Sequence, residues 1–462
     1  MTSALTHEVS DGETSGLAQV IDIRNVERAA IGTGPDGPST PVHHAPYGRN
    51  VAVVGLGYVG LPTALALAEG GSSVLGCDVS HQRLDSIRAG AVDVLASDRK
   101  RLTRHLGTGL QLTDEAAGLA QSDTVIICVP TPIDVHLAPD LRALACACAT
   151  VVANAVSGQL IILTSTSYVG TTRDLLIDPL ASRGLMAGRD VWVAFSPERI
   201  DSGNPVHLPE STPRVVGGSS EGCRDRAAQA LAHTAPSLHT VSSPEAAEMT
   251  KLMENSFRAV NIAFANEMAD VSRRLGLDIS EVVEAAATKP FGFMRFTPGP
   301  GVGGHCIPCD PHYLLWQLRS IRMVPGVTAA AMNAIAARPL QMVTRVREEL
   351  ADSGIPVLGA RILVVGVTYK PNVDDVRSSP ALEIMTELVE LGAQVGYVDS
   401  HVRELRIRGQ VLVNTHAPTV GAWDLLLIHT LHRDASTDWV DEHPRVLDAT
   451  YQLSTTNRYT VP

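Results

Sequence analysis

The stretch "PGPGVGGHCIPCDP" sets Cys306 and Cys309 three residues apart behind a run of glycines and prolines, with Asp310 directly after. A C-x-x-C pair has three chemistries open to it: a thiol redox couple, half of a metal site, or one nucleophilic thiolate beside a bystander. A zinc site needs further ligands, and no second C-x-x-C or paired histidine stands elsewhere at suitable spacing. A thioredoxin-like couple belongs near the start of a helix in a small redox fold, whereas this pair lies deep in a 462-residue chain. A lone nucleophile suits another setting: its addition to an aldehyde gives a thiohemiacetal, and loss of a hydride from that adduct gives a thioester. Such chemistry requires a hydride acceptor.

A place for one lies 250 residues upstream. The run "RNVAVVGLGYVGLPTALALAEGGSSVLGCDVS" reads as a buried strand, a glycine turn, an Ala/Leu helix and a second strand ending at Asp78. Gly55, Gly57 and Gly60, with Tyr58 and Val59 between them, fit G-x-G-x-x-G where strand passes into helix. The glycines allow a tight turn and close approach of a pyrophosphate to the helix N-terminus. Asp78, eighteen residues past Gly60, stands where a carboxylate accepts ribose hydroxyls and repels a 2'-phosphate, which favours NAD over NADP. Further on, "EMTKLMENSFRAVNIAFANE" has the period of a long helix. Lys251, Asn255 and Arg258 share one of its faces, either as an ordinary solvated stripe or as a clamp for an anion and a developing oxyanion. A second strand-turn-helix-strand unit starts at "ARILVVGVTYKPNVDDVRSSP" but lacks the second and third glycines, so it is not expected to hold another dinucleotide. Lys370 and Arg377 near its strand end are placed either in a solvated loop or against the phosphates of a different nucleotide.

Around these sites the chain divides into a polar, flexible extension (1–48), a Rossmann-like lobe (49–240), a helical segment (241–355) and a second Rossmann-like lobe (356–462). The fold class is thus α/β, with two doubly wound lobes joined by helices. A hydrophobic fraction of 45% with only 4% aromatics suits an Ala/Val/Leu-packed α/β protein. A formal charge of -12 argues against nucleic acid as a partner. No apolar run approaches the length of a membrane span, and seven scattered cysteines point to a reduced, cytoplasmic compartment rather than a disulfide framework.

With these parts in order, residues 49 to 450 resemble the UDP-glucose/GDP-mannose dehydrogenase family. The resemblance rests on "VVGLGYVGLP", "CVPTP", "SPERI", "EMTKLMENSFRAVNIAFANE", "PGPGVGGHCIPCDP" and "GVTYKPNVDDVRSSP". It implies oxidation of the C6 alcohol of a nucleotide sugar to a carboxylate with two NAD, an NAD lobe, a dimerising helical segment and a lobe for the nucleotide diphosphate. No metal is expected, since no further ligands stand at suitable spacing. Position by position it makes Cys306 the nucleophile, Lys251 the proton-transfer or oxyanion residue and Asn255 its partner at the C6 oxygen. Asp310 assists near the thiol, Thr166 and Glu198 position water and substrate, and Glu198 is the base for thioester hydrolysis. Arg83 and Thr131, with Thr166, fall at NAD-contacting positions; Arg199, Ile200, Arg258 and Gly303 fall at substrate-contacting ones. Tyr369 and Lys370 belong to the UDP lobe, and Arg377 to its junction with the cofactor. Departures are "STSYVGTT" where relatives read a Pro-Pro-Gly loop, Cys309 at an aliphatic position and Ser378 at an often acidic one. The substrate loop is most like that of the UDP-N-acetylglucosamine branch, followed by the UDP-N-acetylmannosamine and UDP-glucose branches. A non-catalytic nucleotide-sugar sensor and a thiol-disulfide protein using both cysteines are the rival readings.

Overall fold

The first strand, β1 (Asn50–Val54), buries Val51 and Val53 on one side and Ala52 and Val54 on the other, as a strand covered on both faces must. The computed structural model describes residues 47–92, 96–199, 211–304, 306–415, 422–453 and 460–461. Ile200, among the expected substrate contacts, lies outside them, as does residue 305. Tyr47 already belongs to the lobe: it is buried, and its hydroxyl donates to the Gly158 carbonyl.

After β1 come α1 (Gly60–Glu69), β2 (Ser73–Cys77), α2 (His81–Arg88), α3 (Ala96–His105), β3 (Leu110–Thr113), β4 (Thr124–Ile127), α4 (Arg142–Asn154) and β5 (Leu160–Leu163). The short α5 (Asp178–Ser182), β6 (Trp192–Phe195), β7 (Arg214–Gly218), α6 (Glu221–Leu231) and β8 (Leu238–Val241) complete the lobe. Its sheet has the order β3-β2-β1-β4-β5-β6-β7-β8, parallel except where β6 meets β7. The order reverses between β1 and β4, and in such sheets the crevice past the strand ends at that reversal receives the ligand.

Helix α7 (Pro244–Arg274) leaves this sheet with three start signals: Ser243 accepts the Ala246 N–H, Pro244 opens the first turn and Glu245 faces the helix dipole. It runs 31 residues, about 46 Å. Near its start Glu248, 1% exposed, accepts the N–H groups of Gly170 and Thr172 and the Thr172 hydroxyl, and so pins the loop after β5. Then follow α8 (Ile279–Ala287), α9 (Asp310–Ser320) and α10 (Gly326–Asp352), which continues through Pro339 as one helix.

The second lobe comprises β9 (Arg361–Val365), α11 (Pro380–Glu390), β10 (Gln394–Val398), the hairpin β11 (Glu404–Ile407) and β12 (Gln410–Val413), β13 (Leu425–Ile428) and β14 (Val446–Asp448). Its parallel sheet has the order β10-β9-β13-β14. One face packs Ile362, Val364, Leu425 and Leu427 against Met342, Val346 and Leu350 of α10, together with α11. Arg338 of α10, 1% exposed, ties this lobe to the helices by bonds to Asp270 of α7, the Gly299 carbonyl and the Tyr451 hydroxyl. Among the described residues no helix is long and apolar enough to cross a membrane.

Candidate active site

The glycine turn is built as its residue types require. Gly55 has φ +89°, and a Cβ there would lie 2.8 Å from the Cys128 carbonyl oxygen. At Gly60 a Cβ would strike the Gly55 carbonyl, whereas at Gly57 it would meet nothing. The middle glycine therefore faces open space at the start of α1, where a pyrophosphate fits against helix N–H groups. Asp78 sits beside this cradle, one carboxylate oxygen accepting the Leu56 N–H (2.8 Å) and the other the Ser80 N–H (2.9 Å). Arg83 braces the same turn by donating from Nε to the Leu56 carbonyl (2.8 Å).

Beginning at the cradle itself, Tyr58, Val59, Arg199, Lys251, Asn255, Arg258, Gly303, Cys306, Tyr369, Lys370 and Arg377 line one cleft of about 1420 Å³. Residues from five separate stretches thus converge. The Arg377 guanidinium stacks on the Tyr58 ring, 4.4 Å from its centre, while bonding both oxygens of Asp375. Arg199 is held by Glu254 (2.6 Å) and the Pro213 carbonyl (2.7 Å). The loop before Cys306 lies against the second lobe so closely that a Cβ at Gly303 would come within 2.5 Å of the Ser378 carbonyl and 2.6 Å of Tyr369.

Cys306 opens into the cleft, and its carbonyl accepts the N–H of Asp310 at 2.8 Å, starting α9. Its thiol pKa is pushed up, first by desolvation among the cleft walls and then by the Asp310 charge; Lys251, Arg258 and Lys370 pull it down but are outweighed. The thiolate is therefore not favoured here merely by neighbouring cations. Asp310 is buried under the cleft, where desolvation raises its carboxyl to about 6 against the pull of Lys251 and a hydrogen bond donated by Asn255 Nδ2. Lys251 Nζ donates to the Glu198 carbonyl (2.8 Å). Cys309, half-buried, has its thiol pushed up to about 12 by burial.

Other expected residues stand apart from this cleft. The Glu198 side chain faces a smaller cavity of about 330 Å³ and is held by buried Arg214 (2.6 Å) and the Arg199 N–H (2.8 Å). Thr166 is half-buried past the end of β5 and does not line the cleft. Thr131 meets α9 through its carbonyl, which accepts the Tyr313 hydroxyl. Sequence reasoning passed over Glu248 and Gln317. The latter exchanges bonds with both the N–H and the carbonyl of Val169, fixing the divergent "STSYVGTT" loop to the helix behind the thiol. It also passed over a polar cluster in the second lobe. There His401, His432 and Asp434 offer atoms within 4.8 Å of one another, but both His432 nitrogens are already bonded, to Asn372 N–H and Asp399, which leaves no lone pair for a metal.

A dinucleotide cradle and a second nucleotide lobe that close on one thiol-bearing cleft define a nucleotide-substrate oxidoreductase. The chain belongs to the UDP-glucose/GDP-mannose dehydrogenase family: its NAD-binding domain matches residues 49–234, its central domain 245–334 and its UDP-binding domain 363–455. The protein is thus an NAD-dependent nucleotide-sugar dehydrogenase. It is similar to the protein CapL of Staphylococcus aureus, with 36% identity over 75% of this chain and 81% of the relative. It is also similar to a UDP-N-acetyl-D-glucosamine 6-dehydrogenase of Pseudomonas aeruginosa, with 33% identity over 83% of this chain and 90% of that one. Among solved structures, a UDP-N-acetyl-D-mannosamine dehydrogenase of Pyrococcus horikoshii superposes with a TM-score of 0.81 at 31% identity, covering 89% of this chain and 98% of the other.

Proposed function

We propose that the protein oxidises the C6 alcohol of a UDP-N-acetylhexosamine, UDP-N-acetylglucosamine first and UDP-N-acetylmannosamine second, to the uronic acid. The observation that carries this reading is the convergence of Lys251, Asn255, Cys306 and Lys370 on one cleft beside the glycine turn. Residues 49–240 hold the cofactor, 241–355 supply the reacting groups and 356–462 hold the UDP. NAD, when bound, supplies the hydride acceptor, twice per substrate, and Gly57 with Asp78 would hold it.

Lys251 and Asn255 sit on one face of α7 and bind the C6 oxygen, stabilising negative charge there as the alcohol proton leaves. Asp310, whose carboxyl burial raises to about 6, relays that proton beneath them. With that proton and a first hydride gone from the alcohol, Cys306 sulfur bonds to C6 of the resulting aldehyde and its proton passes to the carbonyl oxygen, giving the thiohemiacetal. Loss of a second hydride from C6, with the hydroxyl proton returned to the Lys251–Asp310 relay, leaves a thioester, and water cleaves its C–S bond to release the acid and the free thiol. Arg214 and the Arg199 N–H hold Glu198, the base for that water, away from the cleft as it stands. Its action therefore requires the "SPER" segment to shift.

We also infer a cytoplasmic homodimer built on α7, since Met253, Phe264 and Val271 on that helix are exposed apolar residues. Light scattering reports that state directly. NADH formation across UDP-N-acetylglucosamine, UDP-N-acetylmannosamine, UDP-glucose and GDP-mannose tests the function. Two NADH per acid with a UDP-N-acetylhexosamine is the expected result, and turnover of GDP-mannose alone would overturn it.

A further inference from the structure

Strand β10 ends on an acid, Asp399, as β2 ends on Asp78. Each carboxylate accepts the N–H of the residue after a strand-end glycine, Leu56 at 2.8 Å and Val367 at 2.7 Å. The likeness stops there. Asp78 is half-buried beside open space, whereas Asp399 is 4% exposed and consumed by its own lobe. One oxygen takes the N–H groups of His401 (2.7 Å) and Val402 (3.1 Å), and the other also faces His432 Nε2 (3.1 Å). No ribose hydroxyl can reach it.

His432 follows β13, and its Nδ1 accepts the Asn372 N–H at 2.9 Å. An accepting Nδ1 assigns the neutral tautomer with its proton on Nε2, which donates to Asp399. Asn372 itself is held at φ +62°, and its Oδ1 accepts the Arg433 N–H (2.9 Å). Thr368 donates from its hydroxyl to the Lys370 carbonyl (2.9 Å), and Thr430 donates to the Thr368 carbonyl (2.8 Å). The turn that carries Tyr369 and Lys370 into the cleft is thus fixed by groups on the ends of β10 and β13.

We propose that His432 is a positioning residue for the substrate: it converts the acid corner of a dinucleotide site into the anchor of the turn that presents Tyr369 and Lys370 to the nucleotide sugar. The inference rests on the UDP-sugar reading above. Removing the ring takes away the acceptor for Asn372 and lets the turn relax from its left-handed residue, while the NAD lobe is untouched. The charged and titratable groups facing the ring are Asp399, which favours the proton on Nε2, His401, whose ring centre is 4.4 Å away, and Asp434, which pairs with His401. Lys370 stands on the anchored turn itself.

Steady-state kinetics of the full chain with UDP-N-acetylglucosamine, UDP-N-acetylmannosamine and UDP-glucose gives the first arm. In His432→Ala and His432→Gln the KM for the UDP-sugar rises about tenfold, with kcat and the KM for NAD within about twofold. His432→Asn, whose Oδ1 stands near the place of Nδ1, restores most of that loss. An active wild type with an unchanged sugar KM in His432→Ala overturns the proposal, as does an equal fall in kcat with every substrate. A wild type inert toward all three sugars overturns the functional reading instead. Hydrogen exchange, which needs no turnover, gives the second arm. Protection of residues 369–373 falls in His432→Gln relative to the wild type and returns in His432→Asn, while that of β9 holds in both. Equal protection of 369–373 in the wild type and His432→Gln refutes the anchor.

Discussion

At the scale of single residues, burial raises the proton affinity of both the cleft thiol and the acid beneath it. Burial and Asp310 raise the Cys306 thiol, so acid formation is expected to rise with pH above neutrality as the thiolate fraction grows. Cys306→Ser should abolish uronate formation and leave NAD affinity intact, which a binding titration beside an activity assay will check. Cys309 has no partner in the proposed chemistry. Cys309→Val in reducing buffer should keep most of the turnover, whereas Cys306→Val should keep none, and comparable collapse of both would make both sulfurs catalytic. Asp310 gives a stability prediction with a definite sign. Its carboxyl is raised from 3.8 to about 6, so the folded state binds the proton more tightly than the unfolded state does. Stability linked to this group is complete below pH 4 and is lost as pH rises through about 6. Asp310→Asn should therefore be more stable than wild type at pH 7.5, by up to about 2 kcal/mol. The difference should close at pH 4 in urea unfolding, although activity is lost.

At the scale of elements, two loops carry local tension that a substitution can expose. Glu248 holds three donors of the loop after β5 from a buried position on α7, and burial raises its own pKa. Glu248→Gln presents an amide group to donors and should cost about 1–3 kcal/mol, read by denaturant midpoint, with a higher KM for NAD because that loop flanks the cofactor crevice. Ser378 lies at φ +52°, a region that Asn and Gly enter more easily than Ser. Ser378→Asn should gain about 0.5 kcal/mol, visible as a higher Tm. The sequence spoke clearly where a residue type has few uses: the three glycines, the strand-end Asp78 and the long amphipathic helix all stand where their patterns placed them. It was silent where a common residue acquires its role from a distant partner. Nothing in "VDSHV" or "IHTLHRD" announces that Asp399 and His432 meet across two strands, although the strand-terminal acid repeats the pattern of Asp78 and was a signal within reach. Glu198 shows the same blindness in reverse, for its motif was plain but its ion pair with Arg214, sixteen positions on, set the direction of its side chain.

At the scale of the whole molecule, the stack of Arg377 on Tyr58 joins the nucleotide lobe to the glycine turn. Such a contact can make the two substrates sense each other, since whatever orders the turn also favours the seat of Arg377. In the wild type, the Kd for UDP should fall when a saturating NAD analogue is present. Arg377→Leu should reduce that coupling toward unity while affecting the Kd for UDP alone far less. Calorimetry in the four combinations measures it, and a coupling unchanged by the substitution would remove the stack from the explanation.

Helix α7 grips the loop after β5 through Glu248, lines the cleft with Lys251 and Asn255, and reaches the second lobe through Asp270, Arg338 and Tyr451. From Glu248 to Asp270 is about 33 Å of uninterrupted helix. The helix is therefore a measuring rod, and the separation of the two nucleotides is counted in residues rather than set by loop closure. A single inserted residue beyond Arg258 would turn everything downstream by about 100° and push it about 1.5 Å along the axis, whereas the surface loops of either lobe can lengthen without altering that gauge. Variation in the length of this protein is free in its loops and forbidden in its rod.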